Sequence, residues 1–204
     1  RNKMKIKDLA AVIESFAPLS LQESYDNSGL VVGNPEDEVH SALLAVDVTE
    51  EVLDEAEREG CDIIITHHPI IFHPLKRFNS SNYVERCVER AIRRGIALYA
   101  CHTNLDSAVG GMSWQVGSMI GLNDMSVLQP SASGAETGFG VVGTLPRPES
   151  AMALMSRIKS IFDVGAIRYS DIPSEEFMVQ RVAICTGAGG SLIDAALRAE
   201  ADIY

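Results

Sequence analysis

A two-lobed α/β fold, with mixed or mostly parallel sheets flanked by helices, is the architecture this sequence predicts, and three observations carry it. Short β-branched and apolar runs alternate with stretches of helical spacing up to about Gly121, the succession that builds β-α-β units with right-handed crossovers. Each buried run in that part ends in a polar cluster: Asp47, then His67-His68, then His102-Thr103-Asn104-Leu105-Asp106. Beyond Gly121 the composition shifts, and a second, smaller set of strands and helix follows the linker-like stretch Pro130-Ser131-Ala132-Ser133-Gly134.

Ile6, Leu9, Ile13 and Phe16 recur at helical spacing, so residues 5–17 form an amphipathic helix ended by Pro18. Tyr25-Asp26-Asn27-Ser28-Gly29-Leu30 is turn-rich and leads into Val31-Val32-Gly33; a tight loop and direct ligand contact both account for it. Residues 40–48 read as a buried strand ending near Asp47. Thr49 caps the next helix, Glu50 and Glu51 favour its positive end, and Gly60 closes it. The strand Ile63-Ile64-Ile65-Thr66 follows and breaks into His67-His68-Pro69. A helix from about Tyr83 to Arg94 turns Val84, Cys87, Val88 and Ala91 inward, Gly95 ends it, and Ile96 to Cys101 is the next strand. Gly110-Gly111 then turns the chain into a helix through Trp114 and Met119.

In the remainder, strands are expected at 138–145, 166–169 and 178–185, with a helix over 148–162 whose Met152, Met155, Ile158 and Phe162 serve as core packing. Arg181 to Ser191 is a strand, a glycine-rich turn and a helix start, with Ser191 and Asp194 as a capping box. The turn matches neither G-x-G-x-x-G nor a Walker sequence, so it signals phosphate binding only faintly. Asp202-Ile203-Tyr204 begins another strand. The expected domains are a main lobe over 4–125, an inserted small lobe over 126–180, and a return to the main lobe over 181–204.

Composition narrows the function classes. The 204 residues can bury a real core, and the 46% apolar and 22% charged content are those of an ordinary globular protein. A formal net charge of -11 argues against nucleic acid or an anionic membrane as the main partner. No apolar run approaches the roughly 20 residues of a membrane span, and no signal peptide precedes Met4, so the expected location is cytoplasmic. Arg1-Asn2-Lys3 reads as a remnant ahead of an initiator Met4, or Met4 is internal. Cys61, Cys87, Cys101 and Cys185 form no C-x-x-C pair and sit in or beside apolar elements, as buried free thiols do.

The chemistry concentrates at the strand ends. Neighbouring residues of a regular strand point to opposite faces, so His67 and His68 can serve one site only if the backbone leaves strand geometry at Thr66 or His67. Pro69 holds His68 extended. Two imidazoles on a stiff loop suit transition metals better than magnesium or calcium, although on their own a pair of polar loop residues explains them equally well. His73 reads as a loop or rim residue. Asp47, His67, His68, His102 and Asp106 all lie at or beyond strand carboxyl ends in one β-α repeat, so they can converge, and histidine with carboxylate suits a catalytic metal site. A bridging carboxylate would make it a two-metal centre.

Tyr25-Asp26-Asn27-Ser28-Gly29-Leu30, Thr66-His67-His68-Pro69, His102-Thr103-Asn104-Leu105-Asp106 and Cys185-Thr186-Gly187-Ala188-Gly189 occur in this order. Together they resemble the YbgI-like, NIF-three-like family of dinuclear-metal proteins, the GTP cyclohydrolase I type 2 homologs, over nearly the whole chain from Met4. The resemblance implies a NIF-three-like fold, in subunits that form a homohexameric ring built from dimers. It implies His67, His68 and Asp106 as ligands of two divalent transition-metal ions (zinc, iron, manganese or nickel). His102 then becomes a nearby polar group behind the ligands. Members also carry a histidine and, four positions on, a glutamate near their C-terminus; this sequence stops at Tyr204, before such a segment. The expectation is partial metal occupancy in this chain and two ions in a full-length one.

Two functions follow. One is a metal-dependent hydrolase with a metal-activated water as nucleophile, acting on a nucleotide or another small metabolite. Asp26, Asn27 and Thr103 would orient substrate or water, with His102 and Asp47 close by. Lys76-Arg77 is a thin source of positive charge for an anionic substrate. The other is a non-catalytic metal-binding hexameric scaffold or regulatory interaction protein.

Overall fold

The computed structural model describes residues 4–132 and 134–204. Arg1, Asn2, Lys3 and Ser133 lie outside them, and with them the reading of the first three residues and of Ser133 as linker. The chain divides into two compact units, Arg1–Leu105 and Asp106–Tyr204. This division differs from the expected breaks near 125 and 180, because residues 106–122 and 181–204 associate with the second set of strands.

The first unit begins with α1 (Ile6–Phe16), β1 (Gly29–Val32), β2 (Ala42–Ala45) and α2 (Glu50–Glu59). It continues with β3 (Ile63–Thr66), α3 (Tyr83–Arg94) and β4 (Ala97–Ala100). Its sheet has the order β1-β4-β3-β2; β2, β3 and β4 are parallel, and β1 runs antiparallel to β4. Thr49 caps α2 by accepting the amide of Val52 at 3.2 Å, and Asn82 caps α3 by accepting that of Glu85 at 3.0 Å. Gly60 and Gly95 close these helices at φ 65° and 66°, the left-handed conformation glycine takes without strain.

The 3.6-residue period of α2 and α3 places Leu53, Ala56, Cys87 and Ala91 against Ile64 and Leu98 of the sheet. Burying Leu53 fully contributes about 1.5–3 kcal/mol. The opposite side of β4 carries Tyr99, whose hydroxyl donates to Glu14 of α1 at 3.2 Å. With helices closing the chain between parallel strands, β2, β3 and β4 all finish at one edge, and the histidines and Asp47 follow immediately.

In the second unit α4 (Thr103–Ser107) contributes its last residues, and α5 (Met112–Ile120) precedes an antiparallel sheet. That sheet has the order β5-β6-β7, from β5 (Asn123–Ser131), β6 (Gly134–Ser150) and β7 (Met178–Ile184), with α6 (Ala151–Ile161) and α7 (Ile193–Arg198) beside it. Pro130, Ser131 and Gly134 are therefore paired sheet residues rather than an exposed linker: Pro130 faces Gly138, and Ser131 faces Gly134. Residues 166–169 form no strand.

α6 begins at Ala151 rather than Pro148, with Ser150 capping it by accepting the amide of Ala153 at 3.2 Å. Met155 is buried as expected, whereas Met152 and Phe162 reach solvent because they fall off the face α6 turns to its sheet. The Ser191–Asp194 capping box does not form: a 3-10 turn over Gly190–Leu192 intervenes, and α7 begins at Ile193 without a side-chain cap. Ile203 makes a single parallel bridge to Val182, where a further strand was expected to begin. Cys87 and Cys101 are buried, Cys61 and Cys185 partly so. Among the described residues no helix is long and apolar enough to cross a membrane.

Candidate metal centre

Strand register brings the polar residues of the first unit to one level. Ala42 pairs with Ile63, and Ile63 with Ala97. Carried five positions forward, the same register aligns Asp47, His68 and His102 just beyond the carboxyl edge. The backbone leaves strand geometry after Thr66, as two adjacent histidines in one site require. The Thr66 hydroxyl donates to the carbonyl of His68 at 2.9 Å, while the His68 amide donates to Val46 at 3.0 Å. His67 and His68 consequently turn toward each other, with ring centroids 5.1 Å apart, and His102 stands 5.2 Å from His67 and 5.5 Å from His68.

Each imidazole has its Nδ1 engaged by an atom that can only accept. His67 Nδ1 lies 2.9 Å from the carbonyl oxygen of Cys101, His68 Nδ1 2.8 Å from Asp47 Oδ1, and His102 Nδ1 2.8 Å from Asp26 Oδ1. Carbonyl and carboxylate oxygens carry no proton to give, so Nδ1 donates in all three and the lone pair of each neutral ring sits on Nε2. Outer partners of this kind fix the orientation and tautomer of metal-binding histidines. Ligand atoms of the three rings lie within 4.8 Å of one another. Three oriented imidazoles are a donor set that fits a divalent transition-metal ion.

Asp26 is the anchor of the cluster. Its side chain is 0% exposed, against 20% for His102, while the Asp47–His68 pair is open at 58% and 50%. Burial pushes the Asp26 carboxyl up, but hydrogen bonds from the Thr103 hydroxyl, from His102 and from the amides of Asn27 and Thr103 outweigh it and hold the group down at about 2. The Thr103 hydroxyl is engaged twice, donating to Asp26 and accepting the amide of Glu23 at 2.9 Å. Asn104 is fully buried and donates to the carbonyl of Ala17 at 2.8 Å, which fixes the segment after His102 to the end of α1. Asn27 donates to the carbonyl of Ile71 at 2.7 Å and so holds the loop beyond Pro69.

Asp106 opens the second unit, where it accepts from the Thr186 hydroxyl at 3.5 Å; Thr186 also pairs with Ser113, Oγ to Oγ1, at 3.2 Å. The resemblance implies His102 as a group behind the ligands; here it stands with His67 and His68 in the imidazole cluster. Strand register, which the sequence pattern does not carry, puts it level with His68. The carbonyl of Cys101 as the partner of His67 has no signal in the side-chain sequence.

Comparison with known proteins identifies the family. A family profile described as Duf34/NIF3 (NGG1p interacting factor 3) matches residues 4–204. The GTP cyclohydrolase 1 type 2 homolog of Lactococcus lactis is 37% identical over 204 residues, covering 98% of this chain and 76% of that protein. Its counterpart in Clostridium perfringens is 34% identical over 200 residues, covering 98% and 76%. The fold is similar to the crystal structure of a Bacillus cereus protein related to NIF3, with a TM-score of 0.91 over 100% of this chain and 82% of that one, at 24% identity. By its profile match and its relatives, the chain belongs to the Duf34/NIF3 family.

Proposed function

We propose that this chain is a metal-dependent hydrolase in which His67, His68 and His102 hold a divalent transition-metal ion and Asp106 supplies a carboxylate to a second. The observation that carries the reading is the convergence of three imidazoles, each anchored through Nδ1, beyond the carboxyl edge of a parallel sheet. The role of Asp106 is supported by its place in the His102-Thr103-Asn104-Leu105-Asp106 motif of the family resemblance. A bound ion would supply Lewis acidity at a neutral pH.

The protein's own groups do the remainder. Asp47, Asp26 and the Cys101 carbonyl orient the rings, and the buried Asp26–Thr103 pair keeps His102 from swinging away. The open side at His68 admits a substrate, for which a nucleotide or another small metabolite is the class; the name borne by the Lactococcus and Clostridium relatives supports the nucleotide. The reading includes a cytoplasmic protein that self-associates as a homohexamer of dimers. The open edge strand β2, with Leu44 75% exposed, supports association.

The test is turnover. Metal-loaded protein is offered nucleoside triphosphates, phosphoesters and cyclic amides, with products followed by chromatography. A hydrolysed substrate, with the rate falling about 100-fold or more in His67→Ala of unchanged circular dichroism, is the expected result. A rate unchanged in His67→Ala overturns the reading, and metal bound without turnover of any of them favours the scaffold.

A further inference from the structure

A cavity of about 470 Å³ opens beside the imidazole cluster and shares His68 and His102 with it. Its size falls within the roughly 300–1,000 Å³ of small-molecule pockets. Phe72, His73 and Tyr83 form part of its wall, with Phe72 39% and Tyr83 53% exposed. Phe72 is the hub of this wall. Its ring lies 5.1 Å from that of His73 at 72°, and 6.2 Å from that of His102 at 78°. Tyr25 meets it edge-on at 6.3 Å. Aromatic surface thus runs from solvent up to a ring of the cluster, and the Asn27 hydrogen bond to Ile71 fixes the residue before the hub.

The charge of the lining is as informative as its shape. Among the described residues that line the cavity there is no lysine or arginine, and the one carboxylate is that of Asp47. A phosphate chain would meet this carboxylate and no side-chain cation, whereas an uncharged ring would cover the exposed aromatic surface of Phe72 and Tyr83. We infer that the cavity binds an uncharged planar heteroaromatic ring of nucleoside size, seated on Phe72 and Tyr83, and that recognition falls on the ring rather than on a phosphate chain. The direction of the ligand's reacting group, toward His68 and His102, rests on the hydrolase reading; the seat of the ring does not.

The experiment titrates guanosine, adenosine and their triphosphates into metal-loaded and chelator-treated protein by calorimetry, for the wild type, Phe72→Ala and Tyr83→Ala. Metal content is measured in each sample. At least one nucleoside saturates the wild type, and its Kd rises about 5- to 150-fold in each variant, the range of a lost base–aromatic stack, at unchanged metal content. In the chelated protein the triphosphate binds no tighter than the nucleoside. Nucleoside binding that survives chelation supports the cavity even where the metal reading fails. Saturation by neither nucleoside overturns the inference, as do equal Kd values in wild type and both variants. A triphosphate bound tenfold or more tighter than its nucleoside in chelated protein overturns it too.

Discussion

Replacing Asp26 by asparagine tests the cluster at the point where most of its hydrogen bonds meet. The carboxylate accepts from five donors: the amide of Asn27 and His102 Nδ1 on one oxygen, and Ser28 Oγ, the Thr103 amide and the Thr103 hydroxyl on the other. An amide offers one acceptor oxygen. With that oxygen toward His102, its NH2 group faces the Thr103 amide, and although both hydroxyls can rotate, the backbone N–H cannot. One stranded buried donor costs about 1–3 kcal/mol. At roughly 2–4 °C per kcal/mol for a chain of this length, thermal denaturation of Asp26→Asn shows a Tm lower by about 2–12 °C. The same change loosens His102 as a ligand, so zinc affinity by competition with a chromophoric chelator falls about 10- to 100-fold. A Tm within 1 °C of wild type together with unchanged zinc affinity would refute the placement of Asp26 as the anchor.

Other consequences are as specific. Glu85 is held below the ordinary carboxylate range by the Ser81 amide first, then by the Asn79 amide and the side chains of Ser81 and Asn82. A depressed carboxylate contributes stability above its unfolded value of about 4.5 and loses it as pH falls through the folded value, so urea melts of wild type and Glu85→Gln converge below about pH 4.5. Parallel curves would remove this role. Gly138 sits at φ +143° with the carbonyl of Gln129 only 2.1 Å from where a Cβ would stand, so Gly138→Ala lowers unfolding free energy by about 2–5 kcal/mol in chemical denaturation. A change below about 1 kcal/mol would show that the β5–β6 hairpin yields freely. Leu44→Lys at the open edge of β2 shifts sedimentation velocity toward smaller species if self-association uses this strand; an unchanged distribution places the interface elsewhere.

The first unit was legible because its local signals agree. Ile63-Ile64-Ile65 is a buried strand by pattern, Thr49 and Gly60 bracket α2, and the β-α-β succession dictates parallel strands whose ends share an edge. Of the five residues expected to converge, Asp47, His67, His68 and His102 meet in this unit, and Asp106 begins the other. What the pattern lacked was register. Motif resemblance made His102 a residue behind the ligands, while the alignment of Ala42, Ile63 and Ala97 sets it level with His68. The second unit was harder for a physical reason. Pro130, Ser131 and Gly134 carry turn chemistry, but strand pairing with β6 absorbs them, and such long-range pairing overrides local preference. Likewise Ser191 and Asp194 have capping spacing, yet the glycine-rich chain before them tightens into a 3-10 turn that moves the helix start past the cap. Phe72 and Tyr83 belong to no motif of the sequence; only the fold brings them into one cavity with His68 and His102.

If three imidazoles on this sheet edge hold metal, elemental analysis of the purified protein detects the ion. The protein is dialysed against zinc, manganese, iron(II) or nickel and freed of loose ions, beside His67→Ala, His68→Ala and His102→Ala with folding checked by circular dichroism. Bound metal in the wild type and its loss in all three variants, His102→Ala included, is the expected result. Wild-type metal content retained in His102→Ala, or a wild type that retains none of the four ions, would contradict it.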